Sequence, residues 1–231
     1  MLPNPLIVAA DLSDADQAES LAERLAGLVA FMKVGLTLFV SAGPGVVERV
    51  RAHAPVFLDL KLHDIPVTVA GAARAVARLR PEVLTVHAAG GADVVRAAVE
   101  AAPGTMVAAV TVLTSLGDDD LGRIGLGGPV PDAVLRLAAL SVEAGAQGLV
   151  CSPREVSAVR AEVGDDVTLI TPGVRPAGSE AHDQARVATP EEALLAGADL
   201  LVIGRPITRA PDPGAAAAAI AASLRRVAVA R

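Results

Sequence analysis

The stretch FLDLKLHDIP, residues 57–66, combines the leucine content of a buried β-strand with three charged side chains. Successive side chains of a strand point to opposite faces, so Phe57, Asp59 and Lys61 share one face and the leucines between them share the other. If the leucines face the covering helices, the charged side chains on the opposite face point to the inside of a closed sheet. The stretch therefore predicts a barrel strand with a charged interior end, followed by a further carboxylate at Asp64.

Seven other apolar runs alternate with helix-like segments along the chain. The predicted strands are residues 6–12, 31–36, 56–62, 82–88, 105–113, 148–152, 168–174 and 200–206. Near-continuous apolar strands are typical of parallel strands covered on both faces, and strict strand–helix alternation implies right-handed crossovers. Eight such units in 231 residues favour an α/β fold, a single-domain TIM (β/α)8 barrel over residues 1–231. An open doubly wound sheet is the alternative.

Composition excludes several classes of protein. Hydrophobic residues make up 52% of the chain, but no apolar run reaches the ~18 residues that a membrane span needs. The single cysteine, Cys151, excludes an intrachain disulfide and is interpreted as a small buried hydrophobe, and the histidines show no zinc-site spacing. A net charge of -6 with three aromatic residues argues against a nucleic-acid surface. The N-terminus shows no secretory signal, so we expect a cytoplasmic location.

Charged residues also end the neighbouring strands. Asp11 ends strand one and Lys33 interrupts strand two. Taken alone, Asp11 could belong to the N-cap region of the next helix, and Lys33 could extend outward to solvent. Asp59 and Lys61 could be a buried ion pair that only fixes packing, although stability is a poor reason to keep such a pair. Four charges from three adjacent strands instead predict an array of alternating carboxylates and ammonium groups at the barrel mouth, with coupled pKa values.

The end of strand eight, VIGRP at residues 202–206, predicts a phosphate site. Gly204 lets backbone N–H groups approach an anion and Arg205 can bind it as a bidentate fork, and the loops after strands seven and eight are the usual phosphate site of such barrels. Arg175 and Gln184, in the preceding loop, can supply further donors. An ordinary strand-ending glycine followed by a surface arginine is the competing explanation.

Two polar residues and two loops near the strand ends have more than one explanation. Thr114 ends strand five and could hydrogen-bond the edge of a heterocycle, but a turn explains it equally well. His87 is interpreted as a satisfied core histidine rather than a catalytic base. The stretches 115–131 and 175–188 are predicted to be mobile loops after strands five and seven, where barrel loops carry function.

Together these motifs closely resemble those of the orotidine 5'-phosphate decarboxylase family. The decisive stretch DLKLHDIPVT fits the family pattern D-x-K-x-x-D-I-P-x-T, in which Val67 stands where many members have Asn. The matching positions are Asp59, Lys61, Asp64, Ile65, Pro66 and Thr68. Supporting matches cover almost the whole chain: VAADL, KVG, VHAAGG, TVLTS, TPGVRPAGSEAHDQ and VIGRPIT.

The resemblance implies decarboxylation of orotidine 5'-phosphate to UMP, the last step of de novo pyrimidine synthesis, without cofactor or metal. Lys61 would donate the proton to C6, and Asp59 would lie beside the substrate carboxylate. Lys33 would bridge the carboxylates, and with Asp11 it would contact the ribose hydroxyls. Flanking carboxylates, Asp59 and Asp64, favour the cationic form of Lys61 that this chemistry needs.

The resemblance also implies a homodimer that forms two sites. In the family, the residues that match Asp64 and Thr68 reach the site across the dimer interface. Thr114 would lie near the pyrimidine. The residues implied at the phosphate end are Gln184, Gly204, Arg205 and Arg175.

Two other functions are open from the sequence alone. A magnesium-dependent sugar-phosphate decarboxylase or synthase of the same barrel group shares D-x-K-x-x-D, but has an acidic metal ligand where this chain has Lys33. An ammonium at that position argues against a metal. A non-catalytic nucleotide-phosphate binding protein would keep the barrel without the chemistry, and the presence of Asp59, Lys61 and Asp64 argues against it.

Overall fold

Eight parallel strands form a closed barrel in the computed structural model, which describes residues 4–175 and 188–229. The strands pair in the order of the sequence, and the last pairs with the first. They are Leu6–Ala10 (β1), Phe31–Gly35 (β2), Val56–Leu62 (β3), Val83–His87 (β4), Met106–Val110 (β5), Gly148–Val150 (β6), Thr168–Thr171 (β7) and Leu200–Ile203 (β8). The predicted TIM barrel is confirmed, and the open doubly wound alternative is wrong because this sheet has no unpaired edge.

Helices connect successive strands. They are Ala15–Arg24 (α1), Leu36–Ala42 (α2), Gly45–Arg51 (α3), Pro66–Ala77 (α4), Ala92–Ala101 (α5), Asp118–Arg123 (α6), Val130–Glu143 (α7), Val156–Val163 (α8), Pro190–Leu195 (α9), Arg205–Thr208 (α10) and Pro213–Val229 (α11), with a 3-10 turn at Ala88–Gly90. Within residues 4–175 and 188–229, none of these helices has the length and apolar character needed to cross a membrane.

Predicted and observed strands differ mainly at their carboxyl ends. β3 spans the predicted residues 56–62, whereas β5 ends at Val110 rather than residue 113 and β8 ends at Ile203 rather than residue 206. The short helix α10 begins almost directly after β8, where Pro206 suits the first turn of a helix. Arg205 therefore belongs to a helical turn and not to the strand.

The stretch 115–131, predicted to be a mobile loop, contains helix α6 and the first two residues of α7, so the prediction is wrong for residues 118–123 and 130–131. The backbone N–H of Gly117 donates to the carboxylate of Asp120 at 3.0 Å. Three consecutive aspartates in the first turn also interact favourably with the positive end of the helix dipole. The second predicted loop, 175–188, lies outside the described residues except for its two end residues.

The apolar side chains form two layers that follow the alternation of the strands. The barrel interior holds Ile7, Phe57, Val83, Ala108, Ile170 and Leu200. Their sequence neighbours, such as Val8, Leu58 and Leu84, belong to the larger core that packs strands against helices. Phe57 thus faces the interior and Leu58 faces the helices, as the alternation in FLDLKL predicts.

The second half of β3 departs from this regular pattern. Leu58 pairs with Leu84 of β4, and the next pair joins Leu62 to Val86. A step of four residues on β3 therefore faces a step of two on β4, which is a bulge. Lys61 lies in this bulge with a φ of 50°, a left-handed conformation that is uncommon for residues other than glycine. The bulge, and not simple alternation, decides where the backbone of Lys61 lies.

Candidate active site

A row of four charged side chains lies at the mouth of the barrel, at the carboxyl ends of β1, β2 and β3. The Lys33 Nζ lies 2.9 Å from Asp11 Oδ1 and 3.6 Å from Asp59 Oδ2. The Lys61 Nζ lies 2.8 Å from both carboxylate oxygens of Asp59. The structure thus brings the four predicted charges together in the alternating order carboxylate, ammonium, carboxylate, ammonium.

The middle of this row is the most buried part. The side chains of Lys33 and Asp59 are 11% and 12% exposed, whereas that of Asp11 is 67% exposed. Burial alone raises the pKa of Asp59, but the charges of Lys33 and Lys61, together with hydrogen bonds from Lys61 and Thr85, hold that pKa below the usual carboxyl value. Asp59 is therefore ionised at neutral pH and holds an ammonium group on each side.

The two lysines of the row are the only lysines in the chain, although Lys and Arg together number 20. An ammonium group can release a proton to a reactant, whereas a guanidinium stays protonated in proteins. Every other basic position among those 20 carries arginine. This distribution is a sequence signal for Lys33 and Lys61 that does not depend on any motif.

Two adjoining cavities open beside the row. The first has a volume of about 150 Å³ and is lined by Lys61, by Thr114 and by the apolar side chains Phe57, Val110, Val150 and Val202. The second, of about 250 Å³, is lined by Asp11, Arg175, Gly204 and Arg205. Both cavities share Lys33, Asp59, Pro172 and Val202. The arrangement suits a ligand with a flat, largely apolar ring at one end and an anionic group at the other.

The second cavity is lined by three of the four residues that the sequence predicts to bind phosphate. Gly204 precedes α10 and Arg205 begins it, while Arg175 is buried just after β7. The backbone N–H of Arg175 donates to the carbonyl of Ala188 at 3.0 Å, which joins the two ends of the intervening stretch. Gln184, the remaining predicted phosphate ligand, lies outside the described residues.

Neither Asp64 nor Thr68 lines the two cavities of its own chain. Both residues are exposed, and the Asp64 carboxylate accepts a hydrogen bond from the backbone N–H of Ile65 at 2.7 Å. The apolar side chains beside them, Ile65 and Val67, are 62% and 71% exposed. A single chain therefore does not place Asp64 and Thr68 where the sequence predicts them to act.

His87 and Cys151 are both neutral at neutral pH. Burial, followed by the charges of His63 and Lys61, lowers the pKa of His87, whose ring centroid lies 5.1 Å from that of His63. Burial raises the pKa of the Cys151 thiol to about 12, and the side chain is packed in the apolar core. Cys151 is therefore the buried hydrophobe that the sequence predicts and is not a thiolate nucleophile.

Sequence reasoning missed two residues that shape the site. A Cβ on Gly35 would lie 2.9 Å from Lys33 Nζ and 3.2 Å from Asp11 Oδ1, so any other residue at this position would displace the ion pair from its present geometry. Thr85 is fully buried on the inward face of β4 and hydrogen-bonds Asp59. A polar residue inside the apolar run VLTVH was the available signal for Thr85.

No three His, Cys, Asp or Glu side chains within the described ranges lie close enough together to hold a metal ion. At the barrel mouth, the Lys33 ammonium occupies the space between Asp11 and Asp59. The charge that a cation would supply between these carboxylates is thus supplied by a side chain.

Comparison with known proteins agrees with this geometry. Residues 4–220 match the model of the orotidine 5'-phosphate decarboxylase / HUMPS family. The chain is 67% identical to an orotidine 5'-phosphate decarboxylase of Thermobifida fusca, over 96% of each chain. It is 59% identical to one of Frankia casuarinae, over 95% of this chain and 87% of the relative. The solved structure of the Lactobacillus acidophilus orotidine 5'-phosphate decarboxylase superposes with a TM-score of 0.85 at 38% identity, covering 96% of this chain and 99% of that one.

Proposed function

The chain belongs to the orotidine 5'-phosphate decarboxylase family, and we propose how its own residues carry out that reaction. The enzyme removes the carboxylate of orotidine 5'-phosphate to give UMP in pyrimidine biosynthesis. The observation that carries the proposed mechanism is the row of alternating charges from Asp11 to Lys61, which borders both cavities.

We place the substrate across the two cavities. The pyrimidine ring occupies the apolar cavity of about 150 Å³, where Thr114 can hydrogen-bond its edge. The phosphate lies in the second cavity against Arg205 and the backbone at Gly204, with Arg175 beside it. Gln184 is proposed as a further phosphate ligand. The ribose then lies between the cavities, where its hydroxyls can reach Asp11 and Lys33.

Lys61 acts at C6 of the pyrimidine. As the bond between C6 and the carboxylate breaks, CO2 leaves and the electron pair stays on C6 in an sp2 orbital that the ring delocalises poorly. The Lys61 ammonium stabilises this carbanion and then transfers a proton from Nζ to C6, which completes UMP. Asp59 holds the Nζ within 2.8 Å of both its oxygens, so the ammonium is already in place when the charge develops.

Lys61 alone does not account for the acceleration that such a reaction needs. A single preorganised donor is typically worth about 3–4 kcal/mol, whereas the largest enzymic accelerations require about 23 kcal/mol or more. Binding of the remote phosphate by Arg205 must therefore contribute to transition-state stabilisation.

The proposed mechanism needs no metal, because Lys33 already provides the positive charge between Asp11 and Asp59. We expect purified protein to convert orotidine 5'-phosphate to UMP at the same rate with and without EDTA, followed by ultraviolet absorbance. Protein carrying Lys61→Ala, purified in the same way, controls for contaminating host enzyme. Loss of activity in EDTA that magnesium restores would contradict the proposal and favour a metal-dependent reaction of the same barrel group.

We further propose that the enzyme is a homodimer in which Asp64 and Thr68 complete the partner's site. Both residues are exposed and lie outside the cavities of their own chain. The exposed apolar side chains of Ile65 and Val67 provide a surface that a second copy can cover. Asp64 would then join the charged row from the partner, next to Lys61.

Complementation between two inactive variants tests this arrangement. Lys61→Ala and Asp64→Ala chains with different tags are co-expressed, and the heterodimer is isolated through both tags. If each site takes Lys61 from one chain and Asp64 from the other, one of its two sites is intact, and activity is about half that of the wild-type dimer. A stable heterodimer with no activity would place both residues in the same chain's site, and failure to form any dimer would also contradict the proposal.

We also propose a cytoplasmic location. Orotidine 5'-phosphate and UMP both carry a phosphate group, and moving such a charge into hydrocarbon is strongly unfavourable. The enzyme receives orotidine 5'-phosphate from one step of nucleotide synthesis and passes UMP to the next. Because neither compound crosses a membrane readily, the enzyme is expected in the same compartment as those steps.

A further inference from the structure

Thr85, on the neighbouring strand β4, links the last two residues of the charged row, Asp59 and Lys61. Its side chain is fully buried on β4. The hydroxyl donates to Asp59 Oδ1 at 2.9 Å and accepts from the backbone N–H of Lys61 at 2.9 Å. A hydroxyl has one proton to donate and lone pairs to accept with, so both bonds form at the same time.

The bulge in β3 explains why a side chain is needed at this point. Between Leu58 and Leu62 the backbone pairing with β4 is interrupted, and Lys61 takes a left-handed conformation there. The N–H of Lys61 is bonded to the hydroxyl of Thr85 in place of a backbone carbonyl of β4. A non-glycine residue keeps such a conformation only when its surroundings hold it there.

The same hydroxyl restricts the Asp59 carboxylate. Oδ1 receives the Thr85 hydroxyl and the Lys61 ammonium, while Oδ2 faces both Lys61 and Lys33. Rotation of the carboxylate plane would break the bond to Thr85. Thr85 thus restrains the Lys61 side chain in two ways. It bonds the backbone N–H of Lys61, and it fixes Asp59, the counter-ion of the Lys61 ammonium.

We propose that Thr85 is a positioning residue for the decarboxylation, whose hydroxyl holds Asp59 and Lys61 in the geometry that presents the ammonium to C6. This inference rests on the roles proposed above for Asp59 and Lys61. Thr85 is not among the residues that line the two cavities, so it acts through these two residues and not on the substrate.

The test compares Thr85→Val, which keeps the shape and removes the hydroxyl, with Thr85→Ser, which keeps the hydroxyl. We expect Thr85→Val to lower kcat by about 10- to 100-fold, because a displaced reacting group costs rate steeply. KM and the affinity for UMP should stay within about threefold of wild type, since binding groups are untouched. Thr85→Ser should retain kcat within about threefold of wild type.

The pH profile separates positioning from packing. The hydrogen bond from Thr85 favours the ionised form of Asp59, so its loss should move the acidic limb of kcat to higher pH in Thr85→Val but not in Thr85→Ser. Thr105→Val is the matched control. It removes another buried hydroxyl, bonded to the carbonyl of Pro81 at 3.1 Å at the opposite end of the barrel, and should leave kcat and the profile unchanged.

Three outcomes would overturn the inference: wild-type kcat in a folded Thr85→Val protein, a low kcat in a folded Thr85→Ser protein, or an unshifted acidic limb in Thr85→Val. If Thr85→Val does not fold, the kcat of Thr85→Ser still tests the inference, because a low kcat in that folded variant would contradict it. Failure of the proposed function is a different result, namely undiminished turnover by Lys61→Ala measured in the same assay.

Discussion

Replacement of Lys61 by alanine is expected to lower kcat by about 10⁴-fold or more, because it removes the group that we propose both donates the proton and stabilises the carbanion. Lys33 is the only other lysine in the chain, and its ammonium is held between Asp11 and Asp59. The measurement is turnover of orotidine 5'-phosphate under single-turnover conditions, where product release does not limit the rate.

The variant protein should still fold and bind nucleotide. The Lys61 side chain is 28% exposed and Asp59 keeps Lys33 as a counter-ion, so the barrel does not depend on the second ammonium. We expect a melting temperature close to that of wild type and an affinity for UMP within about tenfold, because the proposed ligands at the phosphate end are intact. Lys61→Arg keeps the charge without a transferable proton and should be similarly inactive. Turnover by either variant near the wild-type rate would contradict the assignment of the proton donor.

Replacement of Arg205 by alanine should lower kcat/KM for orotidine 5'-phosphate by about 10²- to 10⁴-fold, since a bidentate arginine–phosphate contact contributes two hydrogen bonds between charged groups. The effect should appear only when the substrate has a phosphate. Turnover of orotidine, the same molecule without its phosphate, should be low in wild type and no lower in the variant. The comparison of the two substrates isolates the interaction between Arg205 and the phosphate.

Arg209→Ala is the control for this experiment. Arg209 is the C-cap residue of the same short helix, is exposed and lines neither cavity. Its loss should leave kcat/KM unchanged for both substrates. If Arg205→Ala retains the wild-type kcat/KM for orotidine 5'-phosphate, or loses activity equally toward orotidine, Arg205 does not act by binding phosphate.

The strands and the charged positions were predictable from the sequence because both are local signals. The alternation in FLDLKL places Phe57 in the interior and Leu58 against the helices, and the structure agrees. A charge within or just after an apolar run, as at Lys33 and Asp11, is recognisable as a candidate site residue even without knowledge of the fold. Helix α6 was missed because its aspartates and glycines also suit a loop, and only the fold decides between the two.

Thr85 and Gly35 were not predictable as site residues because each matters only through a contact that joins two segments of the chain, Thr85 by bonding β3 and Gly35 by leaving space for the pair of Lys33 with Asp11. Thr85 reaches Lys61 only because β3 gains a bulge against β4. Gly35 matters only because the ammonium of Lys33 passes within 2.9 Å of where its Cβ would lie. The spacing of residues along one strand predicts neither the register between β3 and β4 nor the close approach of the ion pair to Gly35.

The sequence by itself determined the barrel and the identity of its four charges, since hydrophobic periodicity specifies which side of each strand is buried. Only the tertiary structure decided the distances at which those charges touch, the left-handed conformation of Lys61 and the buried hydroxyl of Thr85 that bonds its backbone. Hydrophobic burial depends on the face a residue occupies, whereas hydrogen bonds and ion pairs depend on distances of about 3 Å between atoms from different strands.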